Sequence, residues 1–180
     1  MLPLTLAFTF SFNFVRKENG DKLRGLSQNQ LCIGVATDKK NTLFLFEGTG
    51  KPSQKKTFEA FCGHIEPGST LIHDKESAHA KLVRELCLHS VVYASKDLKD
   101  LPDKENPMNP VNRAHNILKK FLNAHSSFLR ENLQGYLNLF AFITNPPVDL
   151  LKKIEILIKM AFENPKLLRF RSFFPENKEV

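Results

Sequence analysis

The chain has little of what a secreted, membrane-spanning or zinc-cluster protein requires. It holds three cysteines in 180 residues, Cys32, Cys62 and Cys87. They are odd in number, far apart and without metal-ligand spacing, which excludes a disulfide framework and a zinc ribbon. Each sits in an apolar pattern, so all three are expected as buried free thiols in a reducing cytosol. No apolar run is long enough to cross a bilayer. The uncharged opening, residues 1–14, lacks the positive n-region and small-residue cleavage site of a secretory signal, so neither signal nor membrane anchor is expected there. Residues 1–15 also contain neither Asp nor Glu. The six histidines include no pair with convincing zinc spacing. His73 and His79 are close in sequence but expected on different elements, in structural or solvated roles. The segment 48–51 lacks the full Gly-x4-Gly-Lys-Ser/Thr spacing of a phosphate loop and reads as a turn.

What is present suits one globular domain. A chain of this length can bury one substantial core, and 42% hydrophobic residues is an ordinary content. The 26 basic against 19 acidic residues leave a charge of +7, which favours a polyanionic partner such as nucleic acid. Leu4, Leu6, Phe8, Phe10, Phe12 and Phe14 alternate with small or polar residues, the period of a half-buried strand, and the Phe8, Phe10, Phe12 face is expected in the core. Apolar runs at 30–36 and 42–47 flank a polar turn, giving a hairpin and, with the opening strand, an antiparallel meander. Ser53 is a plausible N-cap for a helix through Phe58 and Phe61.

A brief run at 70–73 stops at Asp74, a helical pattern covers 77–88, and 90–94 is strand-like again. Strand, helix and strand at this spacing make a crossover with two parallel strands. A polar loop follows at 96–109. Asn109 is the expected N-cap and Pro110 the first turn of a helix to about residue 124. Two further helices are expected at 130–144 and 148–163, the second with Leu150, Ile154, Leu157 and Ala161 inward. The expected fold class is therefore a mixed α/β domain over 1–164 with a helical C-terminal half, followed by a basic tail over 165–180.

Asp74 lies where open α/β sheets place functional groups, outside the carboxyl end of a parallel strand. On position alone it is equally a carboxylate at a helix start. Asn112 in a first helical turn is ordinarily solvated or capping, and Lys119 and Lys120 alone describe an exposed helix face.

Together these residues carry a resemblance. The run 68–77, GSTLIHDKES, resembles the second-aspartate motif of bacterial insertion-sequence DDE transposases of the ISXO-like group. The run 109–120, NPVNRAHNILKK, is similar to the motif carrying their third ligand, a glutamate or asparagine followed seven residues later by a lysine; Asn112 and Lys119 match it. The runs 24–38 and 132–140 extend the resemblance over roughly 16–145, and His115 stands where many relatives carry an aromatic.

The resemblance implies an RNase H-like fold with a five-stranded mixed sheet, an antiparallel meander plus parallel strands. It implies Mg²⁺ held by Asp74 and Asn112, and DNA, as element ends and target, steadied by Lys119 and Lys120. It implies a cytoplasmic protein, with a homo-oligomer open. The family's first aspartate belongs on the opening strand, where this chain has no acid, and the zinc-binding region common before the core is missing. The expectation is thus an N-terminally incomplete core, related to enzymes of DNA cleavage and strand transfer but inactive alone. The alternative is a noncatalytic DNA-binding or regulatory remnant.

Overall fold

The structure of the chain, a computed structural model, describes residues 4–12, 30–38, 40–124 and 130–163; of residues 4–12, 95 and 130 it describes the backbone. The chain divides into two compact units, Met1–Asn145 and Pro146–Val180.

The first unit is mixed α/β. Its strands are β1 (Leu4–Phe12), β2 (Leu31–Thr37), β3 (Thr42–Thr49), β4 (Thr70–Asp74) and β5 (His89–Tyr93). They lie side by side in the order β3-β2-β1-β4-β5. β1 and β2 pair antiparallel, as do β2 and β3, whereas β1, β4 and β5 run parallel. The burial expected for Phe8, Phe10 and Phe12 concerns side chains outside the described residues, as do residues 13–29 and the tail 165–180.

All seven residues of β2 are buried because the sheet is covered on both faces. The two-residue period sorts them. Leu31, Ile33 and Val35 meet Phe44, Leu118, Leu122, Leu133, Leu137 and Phe140, the faces of α4 (Asn109–Ala124) and α5 (Leu133–Thr144). Ala36 joins Phe61, Ile65, Leu71, Leu82 and Leu88 on the opposite side, where α1 (Gln54–Phe61) and α2 (Ala80–Glu85) pack. Gly34 must be glycine for lack of room: a Cβ there would strike the Phe61 ring and the buried Glu47 carboxylate. Glu47 accepts from the Thr57 hydroxyl at 2.9 Å and lies 3.6 Å from the Cys32 thiol, which burial and this carboxylate push up to about 12. Cys32 is therefore an inert thiol.

The β3 edge is closed by two carboxamides. Gln134 accepts from the Phe46 N–H at 2.8 Å and donates to the Phe44 carbonyl at 3.2 Å. Asn145 does the same for both backbone groups of Thr42, each at 2.8 Å. The side chains occupy the ladder positions that a further strand would take, which blocks edge pairing.

Local expectations hold at several points. Ser53 accepts from the Lys56 N–H and caps α1. Others are corrected. Asn109 is not the cap of α4 but its first residue, its side chain donating to the Asp103 carbonyl; it is Asn106 that accepts the Met108 N–H, at 2.9 Å. The helical pattern at 77–88 splits into a 3₁₀ turn, Ser77–His79, and α2, which stops before Cys87 because that residue turns left-handed at φ 50°. Cys62 and Cys87 are exposed, not buried. The loop expected at 96–109 begins with a short helix, α3 (Ser95–Leu98).

In the second unit, α6 (Leu150–Glu163) forms where the helical pattern predicts it. None of its residues is buried, so the inward placement expected for Leu150, Ile154, Leu157 and Ala161 is not observed. Periodicity shows that an apolar face exists, not what covers it.

Candidate functional site

β1, β4 and β5 are parallel, so their carboxyl ends open on one edge of the sheet, and Asp74 is the last residue of β4. Ile72, two residues earlier and so on the same face, packs on Met108 and Val111 at the start of α4. This contact brings the first turn of α4 over the sheet end. Asp74 and Asn112 accordingly line one cleft of about 330 Å³. Lys119, two turns along α4, is exposed, as are Asn112 and Lys120. Neither lysine lines the cleft.

The cleft has members the sequence did not single out. Lys99 and Asp103 come from the charged segment after α3 and line the same walls, with Tyr93, Leu98, Leu101, Asn106 and Met108. Asp103 adds a second carboxylate to that of Asp74. The only signal for it was the length and charge of its loop, which does not say where the loop folds.

Asp74 is held by its own turn. Its Oδ1 accepts the Glu76 N–H at 3.1 Å, and its side chain keeps 21% exposure. The same oxygen lies 3.9 Å from His79 Nδ1. His73 and His79 do lie on different elements, as expected, yet their ring centroids are 4.8 Å apart. His73 is fixed by contacts of Nδ1 with the Asp74 carbonyl, 2.6 Å, and of Nε2 with the Ser90 hydroxyl, 2.9 Å. His79 has no exposed surface, and neither ring nitrogen makes a hydrogen bond of good geometry, although the Glu76 backbone acts on the ring. An imidazole so placed costs about 1–3 kcal/mol.

Burial dominates the titration of this region. It pushes His79 down to about 4, with His73 adding and Asp74 opposing. It lowers His73 against the pull of the Asp74 carbonyl and charge, and it raises Glu76, to which Asp74 and Glu47 add. His115 packs inside, as an aromatic would; burial, helped by the Lys119 charge, pushes it down to about 3.

A mixed α/β domain with a carboxylate at a parallel strand end and helices over both faces is a frame on which many chemistries are built. Comparison with known families narrows it: the ISXO2-like transposase domain matches residues 9–145, and the chain belongs to this family of insertion-element transposases. No curated protein matches the chain. DDE transposases of this kind use a divalent metal, and a transposase domain implies DNA as partner. Among the described residues, no helix is long and apolar enough to cross a membrane.

Proposed function

We propose that this chain is an RNase H-like transposase core whose Asp74–Asn112 cleft is an incomplete Mg²⁺ site, so that it binds DNA without completing strand transfer alone. The observation that carries this reading is the shared cleft, which joins a strand-end carboxylate to a carboxamide on the facing helix. The strand order supports it as well, since β1 lies beside β4 in the middle of the sheet. β1 carries no carboxylate in its nine residues, so it offers nothing to complete the site.

The donor set fits a hard cation. Carboxylates of Asp74 and Asp103 and the Asn112 carboxamide are oxygen donors of the kind Mg²⁺ selects. The chemistry such a cation supplies is polarisation of a phosphodiester and activation of water or a 3′-hydroxyl. Asp74, already oriented by the Glu76 N–H, would be the anchoring ligand. Asn112 would give a neutral oxygen that balances no charge. Lys119 and Lys120, on the exposed side of α4, would hold the phosphate backbone.

The DNA half of the proposal is tested by anisotropy titrations of a labelled duplex at several salt concentrations. For Lys119→Ala/Lys120→Ala, the slope of log K against log salt should be shallower by about 0.9 for each phosphate that the variant no longer neutralises. An unchanged slope in a folded double variant would move the DNA-binding surface off α4.

A further inference from the structure

We propose that His73, Asp74 and His79 form a binding site for a divalent transition metal ion of the zinc class. Their donor atoms, one from each residue, all lie within 4.8 Å of one another. The arrangement is built from short segments: β4 ends in the first two ligands, and the turn begun by the Asp74–Glu76 hydrogen bond returns the chain so that the 3₁₀ helix delivers the third.

His79 points to a ligand independently of that proximity. It is fully buried, both its ring nitrogens are without hydrogen bonds, and Nδ1 faces the Asp74 carboxylate across 3.9 Å. Donors bound to one tetrahedral ion at ~2.0–2.2 Å stand roughly 3.3–3.5 Å apart, so modest side-chain rotation closes the set. His73 already has the orientation that metal-binding histidines receive from a second partner. Were the Nδ1 proton given to the Asp74 carbonyl, Nε2 would carry the lone pair, and the ion would replace Ser90 there. An open groove lined by His73, Lys75, Glu76, Ser90 and Val92 gives access from solvent on the His73 side of the set.

Two imidazoles and one carboxylate select zinc, cobalt or nickel over magnesium, which takes oxygen ligands and sheds water reluctantly. The site therefore differs in kind from the oxygen-lined cleft, although Asp74 belongs to both. Filling it would draw Asp74 away from the cleft; that consequence, unlike the site itself, rests on the function proposed above.

The test uses the full untagged chain, freed of metal with a chelator and titrated with Zn²⁺ against a competing indicator dye, with Co²⁺ as an absorbing probe. One equivalent should bind and raise the thermal midpoint. His73→Gln and His79→Gln should each weaken binding by about 100-fold and abolish the tetrahedral Co²⁺ bands, while His64→Gln, at an exposed histidine outside the set, should bind as the wild type. If His79→Gln fails to fold, His73→Gln decides, because its groove-side nitrogen meets only Ser90. No stoichiometric binding by the wild type, or binding unchanged in folded His73→Gln, would overturn the proposal.

Discussion

Phe8→Asp should give this chain Mg²⁺-dependent nicking of duplex DNA, at least roughly 10²-fold above the wild-type chain, for which no strand transfer is expected. The position follows from the sheet. β1 and β4 pair parallel with Leu6 opposite Ile72, and carrying that register two residues further brings backbone position 8 level with Asp74. A carboxylate there would join Asp74 and Asn112 at the sheet edge, supplying both a ligand and the negative charge that two divalent ions require. Adding Asp74→Ala to Phe8→Asp should return nicking to the wild-type level. A gel assay of supercoiled plasmid reads all three proteins. Nicking by the wild-type chain that Asp103→Asn abolishes would show that Asp103 already completes the site. A folded Phe8→Asp that stays silent would mean the cleft is not a phosphoryl-transfer centre.

Acidification from pH 6.5 to 5 should destabilise the fold by roughly 1.5 kcal/mol for each of His115 and His79. Both side chains are buried, and their folded values, about 3 and about 4, lie below the ordinary 6.5. Well above pH 6.5 the imidazoles are neutral in both states and the full stability is present. Below it the unfolded chain takes up protons that the folded chain refuses, so stability falls as the pH falls. Most carboxylates stay ionised at pH 5, so the histidines dominate this interval; His73, also lowered by burial, adds to the loss, and Glu76, raised by burial, opposes it. Urea unfolding at half-unit steps should show the loss, and His115→Leu should reduce the slope by one proton's share. Stability constant over this interval would mean that the two rings are solvated.

Much of this arrangement could be read from local pattern. The apolar runs that form β2 and β3, the Ser53 cap and the run that stops at Asp74 each depend on neighbours in sequence, and the structure has them where expected. The cleft pairing of Asp74 with Asn112 was legible too, because a crossover and a proline-started helix restrict where each end can go. Asp103 was not, since its place depends on how a charged loop folds against Tyr93 and Met108. The His73–His79 contact was hidden for a related reason: spacing shows which residues share an element, not which turn brings two elements back together. Asn109 is not the cap because its side chain is engaged by the Asp103 carbonyl, a partner set by how the preceding loop folds and not by helix-start chemistry.

The central claim, that Asp74 and Asn112 jointly hold a hard divalent cation, is tested most directly by Mn²⁺ titration of the isotopically labelled full chain, followed by NMR. Signals of Asp74, Asp103 and the Asn112 side-chain amide should broaden together, recover on addition of excess Mg²⁺, and stay sharp throughout in Asp74→Asn. Broadening centred elsewhere, or persisting at Asn112 in folded Asp74→Asn, would contradict it.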